Sequence, residues 1–298
     1  MVPLNSQFKL VWVDRKGTEQ AVSAPPHNYV MPRVSPDGQR VAAGIEEADS
    51  QIWVYDLNRD TLSRLTFQGN SNVDPVWAPD GKRIVFKGSQ NRLFWQAPDG
   101  SASAEELTKN TLSSNNVPGS WSPDGQVLAF METNPNLQLY TLPLKDGNAQ
   151  PFLHTSSNET APRFSPDGHF IAYASDESGR YEIYVRPYPG PAGKWQISTE
   201  GGTEPVWNPK GRELFYRSGS KMMAVEVTTQ ETFSAGKPKM LFEGTYVPTP
   251  RSFPDYDISP DGQRFLMLKA NEQVQAPTQI DVVVNWTEEL KQKIPAGK

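Results

Sequence analysis

The stretch FSPDGHFIAYASDESGRYEIYV, Phe164 to Val185, decides the fold. Its core, Ser165-Pro166-Asp167-Gly168, recurs six times in the chain, intact or as a close variant. The six turn prolines are Pro36, Pro79, Pro123, Pro166, Pro209 and Pro260, so successive spacings are 43, 44, 43, 43 and 51 residues. A fixed period in the low forties is the length of a four-stranded propeller blade.

Each residue of the tetrapeptide has a turn role. Proline presets φ for the second position of a type I turn. Aspartate tolerates the third, and glycine takes the left-handed conformation that completes a three-residue hairpin. The variants agree: Ala78 and Asn208 stand for serine and Lys210 for aspartate, while proline and glycine never change. A ligand site would tolerate lysine for aspartate badly; a turn would not. The motif counts blades.

Around each turn the same strands repeat. A short strand ends in Val34, Trp77, Trp121, Phe164, Trp207 or Ile258, and an apolar strand such as KRIVFKG or HFIAYAS follows. A third strand alternates, as in QIWVYDL and YEIYVRP, and a short fourth closes the unit. Period-two runs bounded by Gly, Pro, Asn and Asp mark antiparallel strands. The aromatic residues of the third strands alternate as blade-packing residues should. The expected fold is all-β: a six-bladed β-propeller of four-stranded antiparallel blades, closed by the N- and C-terminal strands. It would occupy residues 1–298 as one domain, with blades starting near 29, 72, 116, 159, 202 and 253. Segments 8–23 and 279–287 would complete the closing blade and remove exposed sheet edges. That assignment supplies one strand too many, so the terminal pairing stays open.

Composition limits the function. The net charge of -5 argues against a nucleic-acid partner, which needs a basic face. Cysteine is absent, which excludes disulfides, thiolate metal sites and cysteine nucleophiles. No apolar run is long enough to span a membrane. The first residues, MVPLNSQFKL, carry no secretion signal.

Candidate chemistry lies where the repeat varies, upstream of each turn. Five residues before the prolines stand Met31, Asp74, Pro118, Ala161, Glu204 and Asp255, three of them carboxylates. Seven before stand Tyr29, Asn72, Asn116, Glu159, Gly202 and Phe253; three before stand Arg33, Val76, Ser120, Arg163, Val206 and Asp257. The expected ligand site at the channel mouth comprises Asn72, Asp74, Asn116, Glu159, Arg163, Glu204, Asp255 and Arg33. Asp74, Glu159, Glu204 and Asp255 would offer hard oxygen ligands to Ca²⁺ or another divalent cation. Arg33 and Arg163, on opposite blades, would pair with acids across the channel or hold an anionic peptide end. His27 and Glu159 are the candidates for acid–base catalysis. No Gly-x-Ser-x-Gly elbow exists. The proline-rich insert YVPTPRSFPDY, Tyr246 to Tyr256, accounts for the long last spacing and is a candidate lid.

These repeats resemble the TolB-like propeller, in which an aromatic residue plus Ser-Pro-Asp-Gly opens each blade. The resemblance runs from Phe8 to about Trp286. More narrowly, LVWVDRKGTEQ, SPDGQRVA, IWVYDLNRDTLSRLTF and VVVNWTEELK look like the propeller C-terminal to bacterial serine/threonine protein kinases. That likeness implies an extracytoplasmic or periplasmic sensor or scaffold module and a kinase domain in the parent protein, although no kinase signature stands in this chain. Three functions follow. The first is a binding module that offers its channel mouth to a peptide, protein or small ligand. The alternative is a metal-dependent hydrolase of esters, lactones or phosphotriesters, by architectural analogy with six-bladed propellers of the gluconolactonase and paraoxonase type. The third is a spacer with an empty channel.

Overall fold

The structure, a computed structural model, describes residues 7–108, 115–133, 136–190, 193–230, 232–247 and 253–271. Six antiparallel sheets form a ring. The inner strands are Tyr29–Val34, Val73–Trp77, Asn116–Trp121, Glu159–Phe164, Thr203–Trp207 and Tyr256–Ile258, numbered here as blades one to six. Those of blades one, three and four begin at the positions read from the repeat, 29, 116 and 159, and the others begin one to three residues later than 72, 202 and 253. Among the described residues the only helical segment is a 3-10 turn, Ser89–Asn91, and no helix is long and apolar enough to cross a membrane.

Closure uses both ends of the chain. In blade six, Phe8–Asp14 pairs with Arg264–Ala270, placing Phe8 opposite Ala270 and Asp14 opposite Arg264. Glu19–Ala21 is the outer strand and Tyr256–Ile258 the inner one. The N-terminal segment thus fills the third and fourth places, as expected. The assignment of 279–287 to this blade lies outside the described residues. Part of the long last spacing belongs elsewhere than the insert. In blade five the eight-residue strand Lys221–Thr228 pairs with two short outer strands, Ser234–Ala235 and Lys239–Glu243.

The core is divided among the clefts between blades. One cluster joins Phe8, Leu10, Trp12, Leu266 and Leu268 of blade six to Val41, Ala43, Ile45 and Tyr55 of blade one. Another joins Ala172, Ala174, Ile183 and Val185 of blade four to Trp207, Leu214, Tyr216 and Val225 of blade five. Each large side chain so buried contributes about 1.5–3 kcal/mol. Every blade is therefore stable only beside its neighbours.

The turns add to that packing. Gly168 sits at φ +77, and a Cβ there would meet Cδ of Pro123 in the preceding blade at 3.1 Å. Ser165 Oγ donates to Asp167 at 2.5 Å and accepts the Phe170 amide, while Asp167 accepts the His169 amide. In blade five, Asn208 Oδ1 takes the Lys210 amide, so a carboxylate is unnecessary at position 210.

Candidate functional site

The inner strands share an irregularity that positions the site. In blades one, two, four and five the register slips between the sixth and third residues before the turn proline, and in blade three between the fifth and third. Met31, Asp74, Ala161 and Glu204 sit there with φ between +48 and +60. The cause is legible: the next residues are Pro32, Pro75, Pro162 and Pro205, which cannot donate to a sheet ladder. A proline within an inner strand is accommodated by a bulge, and the bulge redirects the residue before it.

The redirected carboxylates reach the neighbouring blade. Glu204 Oε2 accepts the Asp255 amide at 3.2 Å, and Asp255 Oδ1 accepts the Met31 amide at 2.8 Å. Tyr256 donates its hydroxyl to the Glu204 carbonyl at 2.9 Å. Blades five, six and one are clasped in series. In blade three the position equivalent to Asp255 and Met31 is Pro118, which carries no amide hydrogen. Asp74 Oδ2 lies 3.4 Å from Lys87 Nζ, and both line a cavity of about 320 Å³. Glu46, Asn115, Thr133, Val117 and Phe253 complete much of its wall. Phe253, near the end of the insert, lines this cavity.

Beneath the mouth, charge is densely buried. Arg33 is 3% exposed, and its Nη1 donates to the carbonyls of Pro32, Pro254 and Tyr256 at 2.8, 2.9 and 3.3 Å. Asp257 Oδ2 accepts the Val34 amide at 2.8 Å. Arg163 Nη1 donates to Gly119 O at 3.1 Å. Burial pushes Glu204 up to about 8, with Asp255 adding to the rise and Arg217 and Arg33 opposing it. Burial likewise raises Asp257 against the pull of Arg33 and Arg163. It lowers Arg163 to about 9, aided by the charge of Arg33.

The remaining expected residues lie apart from this cluster. Asn72 donates to Gln51 Oε1 and the Gln68 carbonyl. Glu159 accepts the Thr155 hydroxyl at 2.5 Å, and burial raises its pKa. Asn116 is 2% exposed. His27 pairs with Glu47 at 2.7 Å and stacks on Trp53, away from the axial acids. Among the described residues no three His, Asp or Glu side chains gather as a metal site. The level-by-level comparison of inner strands found Asp74 but missed Glu46, Lys87, Asn115 and Thr133. Glu46 and Lys87 close second strands, Thr133 follows one, and Asn115 precedes the inner strand of blade three, all outside the positions compared.

The model of the TolB beta propeller domain matches residues 100–296. Among curated proteins, the uncharacterized peptidase YuxL of Bacillus subtilis is 28% identical over 103 residues, covering 32% of this chain and 16% of that protein. The uncharacterized protein Atu1656 of Agrobacterium fabrum is 24% identical over 158 residues, covering 47% of this chain and 52% of its own. The chain thus spans about half, or far less, of these relatives. Among solved structures, the putative TolB from Agrobacterium tumefaciens superposes with a TM-score of 0.71 at 17% identity, over 89% of this chain and 99% of that one. With six blades in a closed ring, each turned by Ser-Pro-Asp-Gly or a close variant, and a family match across 100–296, the chain belongs to the TolB β-propeller domain family.

Proposed function

We propose that this propeller is a binding module that takes a peptide or protein segment at the channel mouth, in the cavity shared by blades one, two and three. One observation carries the reading. Of the three carboxylates five residues before a turn proline, Glu204 and Asp255 hold amides of the next blade, whereas Asp74 lines the cavity and lies 3.4 Å from Lys87 Nζ. A charged pair next to Phe253 and Val117 offers polar orientation and apolar contact together, the usual make-up of a ligand pocket. The family and the ring support a binding or scaffold role at the coarser level.

The hydrolase reading has less support. The acids nominated as metal ligands have separate protein partners: Lys87 for Asp74, Thr155 for Glu159, and backbone amides for Glu204 and Asp255.

The test is selection of a displayed peptide library on the purified propeller, followed by fluorescence polarisation of enriched peptides. Affinity should fall at least about tenfold, the equivalent of 1.4 kcal/mol, in Asp74→Asn and in Phe253→Ala. Glu226→Gln, on the outer edge of blade five, should bind as the parent does. Peptides that bind all four proteins equally would place the contact elsewhere and end this reading.

A further inference from the structure

A second cavity, of about 440 Å³, opens between blades one and two and shares no residue with the cavity beside Asp74. One wall is the segment 65–68, which leaves the outer strand of blade one. The other is 100–104, which leads into the outer strand of blade two. Phe86 and Phe94, stacked with ring centroids 6.0 Å apart, supply apolar surface together with Phe67.

A single exposed phenylalanine is ordinary on a protein surface. Phe67, 72% exposed, differs because it borders the same cavity as two other rings and is held in place. Arg64 Cζ lies 5.3 Å from its ring centroid. Arg64 is itself fixed, Nε donating to the Thr66 carbonyl at 2.7 Å and Nη2 to Asp49 at 2.8 Å.

Much of the remaining lining is polar and uncharged. Gln68, Asn72, Ser89, Gln96, Ser101 and Ser103 contribute amides and hydroxyls, and among the described residues no Asp, Glu, Lys, Arg or His lines the cavity. In a chain of which 21% is charged, such a wall selects against ionic ligands, which would lose water without gaining a counter-charge. Two of the amides are anchored through their nitrogens. Gln96 Nε2 donates to the carbonyls of Leu65 at 3.4 Å and Ala102 at 3.0 Å, tying the two walls together. Asn72 Nδ2 donates to Gln51 Oε1 at 3.0 Å and to the Gln68 carbonyl at 2.8 Å.

Aromatic rings beside neutral amides and hydroxyls suit a particular ligand chemistry. A sugar ring offers a face of weakly positive C–H groups to the negative face of an aromatic ring. Around its edge it offers hydroxyls that both donate to and accept from amides and serines. A wholly apolar ligand would leave those polar groups without partners. The volume falls within the range of about 300–1,000 Å³ usual for small-molecule sites. We propose that this cleft binds a neutral saccharide, with a pyranose face on Phe67 and its hydroxyls on Gln96, Asn72 and the flanking serines. The site is independent of the peptide reading, since the two cavities have no residue in common.

Phe67 gives a clean variant, because an exposed side chain can be replaced without disturbing the core. Saturation-transfer NMR with methyl glucoside, N-acetylglucosamine, maltose and cellobiose, extended by an array of neutral glycans, should show saturable binding to the parent protein. Phe67→Ala should weaken that binding at least about tenfold while its melting temperature stays unchanged. Phe67→Tyr, which keeps the ring, should bind as the parent does. N-acetyltryptophanamide is the apolar control. If it binds in a Phe67-dependent way and no saccharide does, the cleft is an anchor for an aromatic side chain and the saccharide proposal fails. Absence of saccharide binding, or binding that Phe67→Ala leaves intact, overturns it as well.

Discussion

The carboxylate of Asp255 accepts the backbone amide of Met31 at 2.8 Å, joining the blade built from both chain ends to the first blade of the ring. Upstream, Glu204 holds the Asp255 amide in the same way. The closing blade is thus fixed on both sides by side chains of one repeat position, each aimed by a bulge or by the loop before the strand. Its own inner strand is only three residues long, so these clasps compensate for a short ladder.

Removing a clasp should therefore cost stability, and the cost should depend on the acceptor rather than on the charge. Asp255→Ala leaves a part-buried amide without its acceptor, for about 1–3 kcal/mol. Asp255→Asn keeps the Oδ1 acceptor and should lose much less. Chemical denaturation of the two variants checks the ordering, and equal losses would show that charge, not the amide bond, matters.

The buried clasp also predicts a pH dependence. Glu204 has its pKa raised from 4.5 to about 8 by burial, so the folded state binds its proton more tightly than the unfolded chain does. For an acid shifted upward, stability is full below the unfolded pKa and declines as pH rises. The decline should run from about pH 4.5 to about pH 8 and then level off, with an amplitude on the order of a few kcal/mol. Glu204→Gln keeps an oxygen acceptor for Asp255 without titrating, so its stability should be flatter across that window. Urea midpoints of both proteins at several pH values test this; parallel curves would show that Glu204 does not titrate there. The turn acids shift the opposite way: the serine hydroxyls hold Asp37, Asp124 and Asp261 below the usual range. Their contribution disappears only at acid pH.

Turn glycines should differ in importance by what lies beside them. Gly168 and Gly81 both have left-handed φ, at +77 and +66, so alanine costs roughly 1–2 kcal/mol of backbone strain at either. At Gly168 the new Cβ would also press on Pro123 at 3.1 Å, whereas at Gly81 the nearest atom is Pro36 Cδ at 3.9 Å. Gly168→Ala should melt below Gly81→Ala. Calorimetry of the pair decides, and equal melting would mean that the turns do not transmit packing between blades.

Much of this was legible in the chain because proline and glycine at fixed spacing leave little choice of turn. The inner-strand starts at Tyr29, Asn116 and Glu159 follow directly from counting back from Pro36, Pro123 and Pro166. The site was legible only in part. Counting assumes a strand of constant register, and Pro32, Pro75, Pro162 and Pro205 break that register and turn Met31, Asp74, Ala161 and Glu204 out of their expected direction. The acids at one level therefore point to different partners instead of converging. Lys87 was invisible because it closes a second strand, which a comparison of inner-strand positions does not reach.

That divergence yields a prediction about metal. A Ca²⁺ site needs six to eight oxygens converging on one point. Here Glu204 and Asp255 are held by amides of successive blades, Asp74 by Lys87, and Glu159 by Thr155. To bind a common ion these side chains would have to abandon their partners, and releasing Asp255 would free the Met31 amide that closes the ring. Melting curves in EDTA and in added Ca²⁺ should therefore coincide. A Ca²⁺-dependent rise that vanishes in Asp255→Asn would show the acids converging on a cation and would favour the hydrolase reading over the binding one.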